Sequence, residues 1–246
     1  MHKPDGLDYW LFSKEDWDFI DGEFGPPLNV IAPTEADYAM FRGRVPDSIM
    51  DQYWKRYGFC TFKRGQFSIV NPAWYAAALD QWLDGTEFAE KDTYHVIAVG
   101  AFGNMRVWGE KTGQAFAIDL ASSWTMPEFG DDSTFIAEHG PNTAARSLIA
   151  NLDSDFGEMK DDDGPMFARA VKRLGVLRPD EVYGFVPLLQ LGGKEEEASL
   201  QRVSGPEHMA LIAQMAPPRV VTPGELSKIA FGVDATDSIT AAIAKE

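Results

Sequence analysis

The sequence has little of the residue chemistry that builds disulfides and metal sites. Its 246 residues include one cysteine, Cys60, so an intramolecular disulfide is impossible. The four histidines, His2, His95, His139 and His208, are too far apart in sequence for any two to share a helical turn. A zinc site would therefore have to rest on scattered histidines and carboxylates. We predict no bound metal and no cofactor.

Long apolar runs are also missing. No stretch approaches the roughly 18 uninterrupted apolar residues of a membrane span. The N-terminus, MHKPDGLDYW, is acidic and aromatic and lacks the apolar run of a signal peptide. Together with the single cysteine, these absences favour a reducing, cytoplasmic setting.

Positive charge is scarce. There are 22 Lys and Arg residues against 38 Asp and Glu residues, which gives a net charge of −16. This balance argues against a general nucleic-acid binder, which needs a basic surface for phosphate. It also argues against docking on an anionic membrane. A basic protein partner remains compatible with it.

Motifs of catalysis and nucleotide binding are absent. The sequence has no GxSxG elbow. The run Gly100–Gly103 follows a strand-like segment, but a second strand-like segment follows it where a dinucleotide loop needs a helix. Cys60 lies in an apolar run and is predicted to be a buried thiol. Acid pairs such as Asp16 with Asp18 lie in charge-dense segments, where solvation is expected. We predict no catalytic residue.

The triplet Asp161–Asp163, followed by Gly164, resembles the beginning of a calcium loop. An EF-hand needs a bidentate acid at position twelve, and counting from Asp161 that position is Lys172. The favoured interpretation is an acidic helix N-terminus, stabilised by the helix dipole.

The first half of the sequence carries clear signals for helices and an antiparallel sheet. Thr34 predicts the cap of a helix over 35–42, and a second helix runs from Pro46 to Gly58. A hairpin is expected around Arg64 and Gly65, then a helix that Asn71 caps. Three short strand-like runs over 94–120 predict an antiparallel meander.

A polar stretch with Pro and Gly over 121–133 marks the predicted domain boundary. The predicted domains are 1–122 and 123–246. Helices are expected over 142–151, 165–174, 206–215 and 223–231. Asp163 is the predicted cap of the second, and Thr222 with Glu225 a capping box for the last. The fold class is α+β, with helices around an antiparallel sheet first and a mostly helical second module.

Two stretches resemble a known domain pair. Residues 45–83 are similar to the GAD-like domain, with Tyr53-Trp54, Tyr57-Gly58, Val70-Asn71-Pro72 and Trp82 at matching places. Residues 166–215 resemble the C-terminal domain that follows GAD-like domains in bacterial type VI secretion immunity proteins. That second match rests on Leu174-Gly175, Asp180-Glu181, Tyr183-Gly184-Phe185 and Leu191-Gly192-Gly193.

The resemblance implies an immunity protein that binds and silences a cognate nuclease effector, a DNase encoded beside it. It supplies no catalytic residue. One rival hypothesis is an enzyme, such as a hydrolase or a relative of tRNA-amidation proteins that uses acidic residues. Another is a ligand-sensing or scaffold domain. An acidic partner can be steered to the basic surface of a nuclease, which favours the first hypothesis.

The predicted contact surface combines acids with exposed aromatic residues in polar, turn-rich segments. A merely solvated acidic face is the alternative. The candidates fall in three segments: Asp16, Trp17, Asp18 and Asp21; Trp124, Glu128, Asp131 and Asp132; and Asp161, Asp162 and Asp163.

Overall fold

A computed structural model describes residues 10–127, 132–152 and 155–231. Its main feature is one eight-stranded sheet. Neighbouring strands are antiparallel throughout, except that the last strand runs parallel to its neighbour. In order across the sheet, the strands are β1 (Leu28–Ile31), β2 (Phe59–Phe62), β3 (Phe67–Ile69), β4 (Tyr94–Gly100), β5 (Asn104–Gly109), β6 (Phe116–Asp119), β7 (Trp124–Pro127) and β12 (Arg219–Val220).

Helices of the first half pack on this sheet. They are α1 (Lys14–Phe24), α2 (Glu35–Phe41), α3 (Asp47–Ile49), a π-helical turn (Met50–Trp54), α4 (Lys55–Tyr57) and α5 (Pro72–Leu83). The predicted caps are confirmed, because Thr34 Oγ1 accepts from Asp37 N at 3.2 Å and Asn71 Oδ1 accepts from Ala73 N at 3.0 Å. The hairpin at Arg64 and Gly65 and the meander over β4–β6 are confirmed as well.

The second half is more helical. Its helices are α6 (Ser133–His139), α7 (Pro141–Ala145), α8 (Ser147–Ala150), α9 (Phe167–Leu174), α10 (Gly205–Met215) and α11 (Pro223–Phe231), with 3-10 turns at Leu189–Leu191 and Glu197–Ser199. Two small antiparallel pairs join them: β8 (Lys160–Asp161) with β9 (Gly164–Pro165), and β10 (Glu181–Phe185) with β11 (Leu200–Ser204). The predicted Thr222–Glu225 capping box is present. No helix of the described ranges is long and apolar enough to cross a membrane.

One local prediction was wrong, and one segment holds a strand that the sequence analysis did not predict. The segment 121–133, where the domain boundary was predicted, contains β7, whose backbone pairs with β6. The helix expected over 165–174 begins at Phe167, and Asp163 does not cap it. Glu158 supplies an acceptor instead, since its Oε1 lies 2.9 Å from Phe167 N. Asp161–Asp163 therefore form a hairpin turn rather than a helix N-terminus.

The second half packs directly against the sheet. Tyr183 N donates to Ala101 O at 2.7 Å, at the turn that follows β4. Buried side chains of α5 and α10, including Leu79, Trp82, Met209 and Ile212, belong to one core cluster with residues of β4–β6. Because β7 and β12 lie beyond residue 122, the predicted division at 122/123 separates two sequence units that share one sheet.

Candidate partner-binding surface

A large groove lies between the β8–β9 hairpin and the loop that precedes β11. It has a volume of about 930 Å³, and six carboxylates and three cations line it. The acids come from two triplets far apart in sequence, Asp161–Asp163 and Glu195–Glu197. A hydrogen bond from Glu197 N to Asp161 Oδ2, 3.0 Å long, holds the two segments together. We call this surface the acidic groove.

The inner acids of the acidic groove are structural. Asp161 pairs with Arg169, and Glu197 Oε1 lies 2.7 Å from Arg173 Nε. Their side chains are only 6% and 15% exposed. The hydrogen bond from Arg169, followed by the backbone N–H of Glu197, holds the pKa of Asp161 below its usual range. These two acids therefore have a structural role, because each forms an ion pair with an arginine of α9.

The outer acids remain available to solvent. Asp163, whose side chain is 90% exposed, is 4.0 Å from Arg169, and Glu196, whose side chain is 53% exposed, is 3.4 Å from Lys194. Asp162 and Glu195 are exposed, and no described group forms an ion pair with either. These four acids, and not the inner pair, can meet a basic partner.

The acids predicted near the N-terminus already have cation partners within the chain. Asp16 caps α1 with Ser13 and lies 3.1 Å from Arg146, Asp18 pairs with Lys14, and Asp21 pairs with Arg56. The hydrogen bond from Arg56 lowers the pKa of Asp21 despite partial burial. A basic partner would have to compete with these pairs.

Trp17 is a packing residue rather than a displayed one. Its half-buried ring meets Phe12, Tyr53 and Tyr57 edge to face at 5.0–5.9 Å, and Arg56 lies 4.6 Å above it. The exposed aromatic residue of α1 is Phe19, at 66%. Sequence reasoning missed this because α1 mixes acids and aromatic residues without a clean period.

The candidates near the predicted domain boundary, where the structure describes them, also make contacts within the chain. Trp124 is half-buried within β7. The carboxylate of Asp132 accepts from Gln114 N at 3.0 Å and so supports the turn after β5. Glu128 and Asp131 lie outside the described residues. No contact given by the described residues joins the three predicted segments to one another. The third segment, Asp161–Asp163, lies instead against Glu195–Glu197.

The triplet Glu195–Glu197 was not among the predicted contact residues. Its signal in the sequence is a run of three acids directly after Gly192-Gly193-Lys194. That run looks like an ordinary solvated turn until the fold places it opposite Asp161–Asp163.

The arrangement most like a catalytic site is a buried histidine beside a carboxylate. His95 Nε2 lies 2.9 Å from Glu110 Oε1, and Glu110 also pairs with Arg44 at 2.8 Å. Burial is the main cause that lowers the pKa of His95. Among the described residues, no hydroxyl or thiol is hydrogen-bonded to the ring of His95, so the pair lacks a nucleophile.

The thiol and metal chemistry of the described residues is equally sparse. Cys60 is buried, as predicted, and burial raises the pKa of its thiol to about 12. No three His, Cys, Asp or Glu side chains of the described ranges are placed to hold a metal ion.

Comparisons with known proteins agree with the sequence motifs. The model of the GAD-like domain matches residues 18–122, and that of the C-terminal domain of T6SS immunity protein Tdi1 matches residues 146–216. The crystal structure of Atu4351 from Agrobacterium tumefaciens has a similar fold, with a TM-score of 0.70 and 23% identity over 84% of this chain and 92% of that one. No curated protein matches the sequence. The chain therefore carries a match to the GAD-like domain, followed by a match to the C-terminal domain of T6SS immunity protein Tdi1.

Proposed function

We propose that this chain is an immunity protein that binds a cognate nuclease effector of the type VI secretion system and inhibits its DNase activity. The observation that carries the proposal is the Tdi1 match over residues 146–216. That segment also contains every residue that lines the acidic groove. The proposed partner is the product of a neighbouring gene, and the encounter takes place in the cytoplasm.

The charge of the surface supports a nuclease as the partner. A nuclease must present cationic groups to phosphate, and those groups would meet Asp162, Asp163, Glu195 and Glu196 at the acidic groove. Opposite charges accelerate the encounter, because long-range attraction raises association rates by about 10- to 1,000-fold at low salt. An acidic groove that occupies the phosphate-binding face would compete with DNA.

We propose direct, one-to-one binding rather than catalysis. The best His–carboxylate pair, His95 with Glu110, is buried and has no nucleophile beside it among the described residues. Suppression of a lethal nuclease by binding alone requires nanomolar affinity or better, which corresponds to about −12 kcal/mol. Interfaces of this strength combine charge complementarity with a few buried anchors.

Co-expression with the neighbouring nuclease-like protein tests the proposal. The intact chain should restore growth and co-purify with the effector. The variant Asp162→Lys/Glu195→Lys should protect less at the same expression level. The control Glu87→Lys/Glu90→Lys makes the same charge change at two exposed acids outside the acidic groove, and it should protect fully.

Two outcomes would count against the proposal, and a third would count against the proposed interface. The first is a chain that neither protects nor co-purifies. The second is protection without any complex, combined with turnover that depends on His95, which would favour the enzyme hypothesis. Equal protection by both charge variants would remove the acidic groove from the interface.

A further inference from the structure

A second groove, largely apolar, is lined in part by Leu191, four residues before Glu195. It has a volume of about 430 Å³ and is formed by the end of β10, the 3-10 turn after it, and one face of α10. We call it the apolar groove. Its main apolar lining residues are Phe185, Val186, Pro187, Leu191, Leu211 and Met215.

The apolar groove leaves large hydrophobic side chains in water. Val186, Leu191, Leu211 and Met215 are 43%, 52%, 46% and 51% exposed. Leu211 and Met215 are four residues apart on α10, so they share one face of the helix. Four of the twelve large exposed hydrophobic residues of the described chain thus gather at one groove. Gathered exposure of this kind is typical of an interaction site, whereas single exposed residues are ordinary.

A short, fixed loop joins the two grooves. Leu191 lines the apolar groove, and Lys194 and Glu195 line the acidic groove. Gly193 N donates to Leu188 O at 2.9 Å, and a Cβ at Gly193 would lie 2.0 Å from Pro187 O. The loop therefore folds tightly onto the 3-10 turn, and these contacts fix Gly193, two residues before Glu195, relative to Leu191.

The separation of the two grooves suits a short helix. Four residues of chain span at most about 14 Å, which bounds the distance from Leu191 to Glu195. An α-helix of ten residues is about 15 Å long. One helical segment of a partner is therefore long enough to seat an apolar side chain beside Leu191 and still present a cation to Glu195.

We propose that the apolar groove receives an amphipathic segment of the effector, with apolar side chains on one face and Lys or Arg flanking them. This inference rests on the proposed function and adds the anchor that charge alone does not supply. Charge complementarity selects this occupant, because the groove is lined by the exposed acid Glu207, and Glu195 and Glu196 follow its lining residue Leu191 within five positions. A second copy of this chain, with net charge −16, would bring acids against these acids.

The test compares two variants that each remove two half-exposed apolar side chains. Leu211→Ser/Met215→Ser alters the apolar groove, and Met40→Ser/Ile229→Ser is the control, with 50% and 52% exposure outside it. The first probe is a labelled 14-residue peptide of leucine and lysine, with leucines at helical i, i+3, i+4 and i+7 spacing. The second probe is the neighbouring effector.

We expect the groove variant to bind both probes at least tenfold more weakly, mainly through faster dissociation, and the control to bind like the intact chain. Circular dichroism and urea unfolding confirm that both variants fold. Equal binding by both variants overturns the inference, even where the intact chain binds the effector and the proposed function stands. A homodimer that Leu211→Ser/Met215→Ser dissociates, measured by sedimentation, would also overturn it. Failure of the intact chain to bind the effector would instead count against the proposed function.

Discussion

Trp17 and Phe19 lie two residues apart on α1 and have opposite surroundings. Trp17 contacts three aromatic rings and Arg56, whereas Phe19 is 66% exposed. We expect Trp17→Ala to lower the free energy of unfolding by about 2–3 kcal/mol, somewhat less than truncation of a fully buried ring. Phe19→Ala should change it by less than about 0.5 kcal/mol. Urea denaturation measures both, and equal losses would contradict the assigned packing.

His208 gives the stability of the protein a pH dependence. Burial lowers the pKa of His208 below its usual value of about 6.5. Below about pH 6.5 the imidazole of His208 binds a proton in the unfolded chain but stays neutral in the folded chain. The free energy of unfolding therefore falls as the pH drops from about 6.5 towards the pKa of His208 in the folded chain. We expect His208→Gln to lose less stability than the intact chain between pH 7.5 and pH 5.5. Identical losses, measured by urea unfolding at the two values, would contradict this assignment.

The roles of individual residues were hard to predict from the local sequence. Sequence position suggested that Asp16, Asp21 and Asp132 are displayed, yet each makes contacts within the chain, to Arg146, Arg56 and the backbone of Gln114. Those partners lie 18 to 130 positions away. A local pattern carries no information about such pairs, and only the fold brings them together.

At the scale of elements, the loop between β10 and β11 contributes lining residues to both grooves. Gly193 has no room for a side chain against the backbone of Pro187. We expect Gly193→Ala to destabilise the protein by about 1–3 kcal/mol, as overpacking does, and to weaken effector binding by displacing Glu195. Gly22→Ala is the control, because nothing lies within 4 Å of its added Cβ. A Gly193→Ala variant with unchanged stability and binding would show that the loop position is not fixed.

Elements with local signals were predictable from the sequence. The cap of α2 at Thr34, the cap of α5 at Asn71 and the hairpin at Gly65 all follow from residues within three positions of each feature. β7 was not predictable, because its four residues, Trp124–Pro127, end in proline and lie within a polar stretch without a clear alternating pattern. It forms by pairing with β6 on one side and with β12, about 95 residues later, on the other. Long-range pairing overrides local composition at this edge of the sheet.

At the scale of the whole molecule, the net charge of −16 should govern how the protein meets its partner. We expect the association rate with the effector to fall steeply with added salt, since the Debye length is only about 10 Å at 0.1 M. Asp162→Lys/Glu195→Lys should associate about tenfold more slowly at low salt, with a much smaller change in dissociation. Stopped-flow measurements that compare this variant with Glu87→Lys/Glu90→Lys separate the effect of the acidic groove on the association rate from the effect of the net charge. Equal slowing in the two variants would assign the effect to net charge alone.

The domain architecture was predictable because turn glycines, caps and aromatic residues recur at the spacings of the two matched domains. Only one of the two acidic segments of the acidic groove was predictable from the sequence. Asp161–Asp163 stood out as a run, but its partner run Glu195–Glu197 lies more than 30 residues away and gains its meaning from the hydrogen bond between Glu197 N and Asp161. The apolar groove gave no sequence signal, because Leu191 and Leu211 look like core residues until the fold leaves them exposed.

The most direct test of the account is a titration of DNA cleavage by the proposed nuclease effector with increasing amounts of this chain. With the effector well above the dissociation constant, residual activity should fall linearly and reach zero at one equivalent. That result is expected of inhibition by tight one-to-one binding. Inactivation by a small fraction of an equivalent that grows with incubation time would indicate catalysis by this chain. Full cleavage at a large excess would contradict the proposed inhibition.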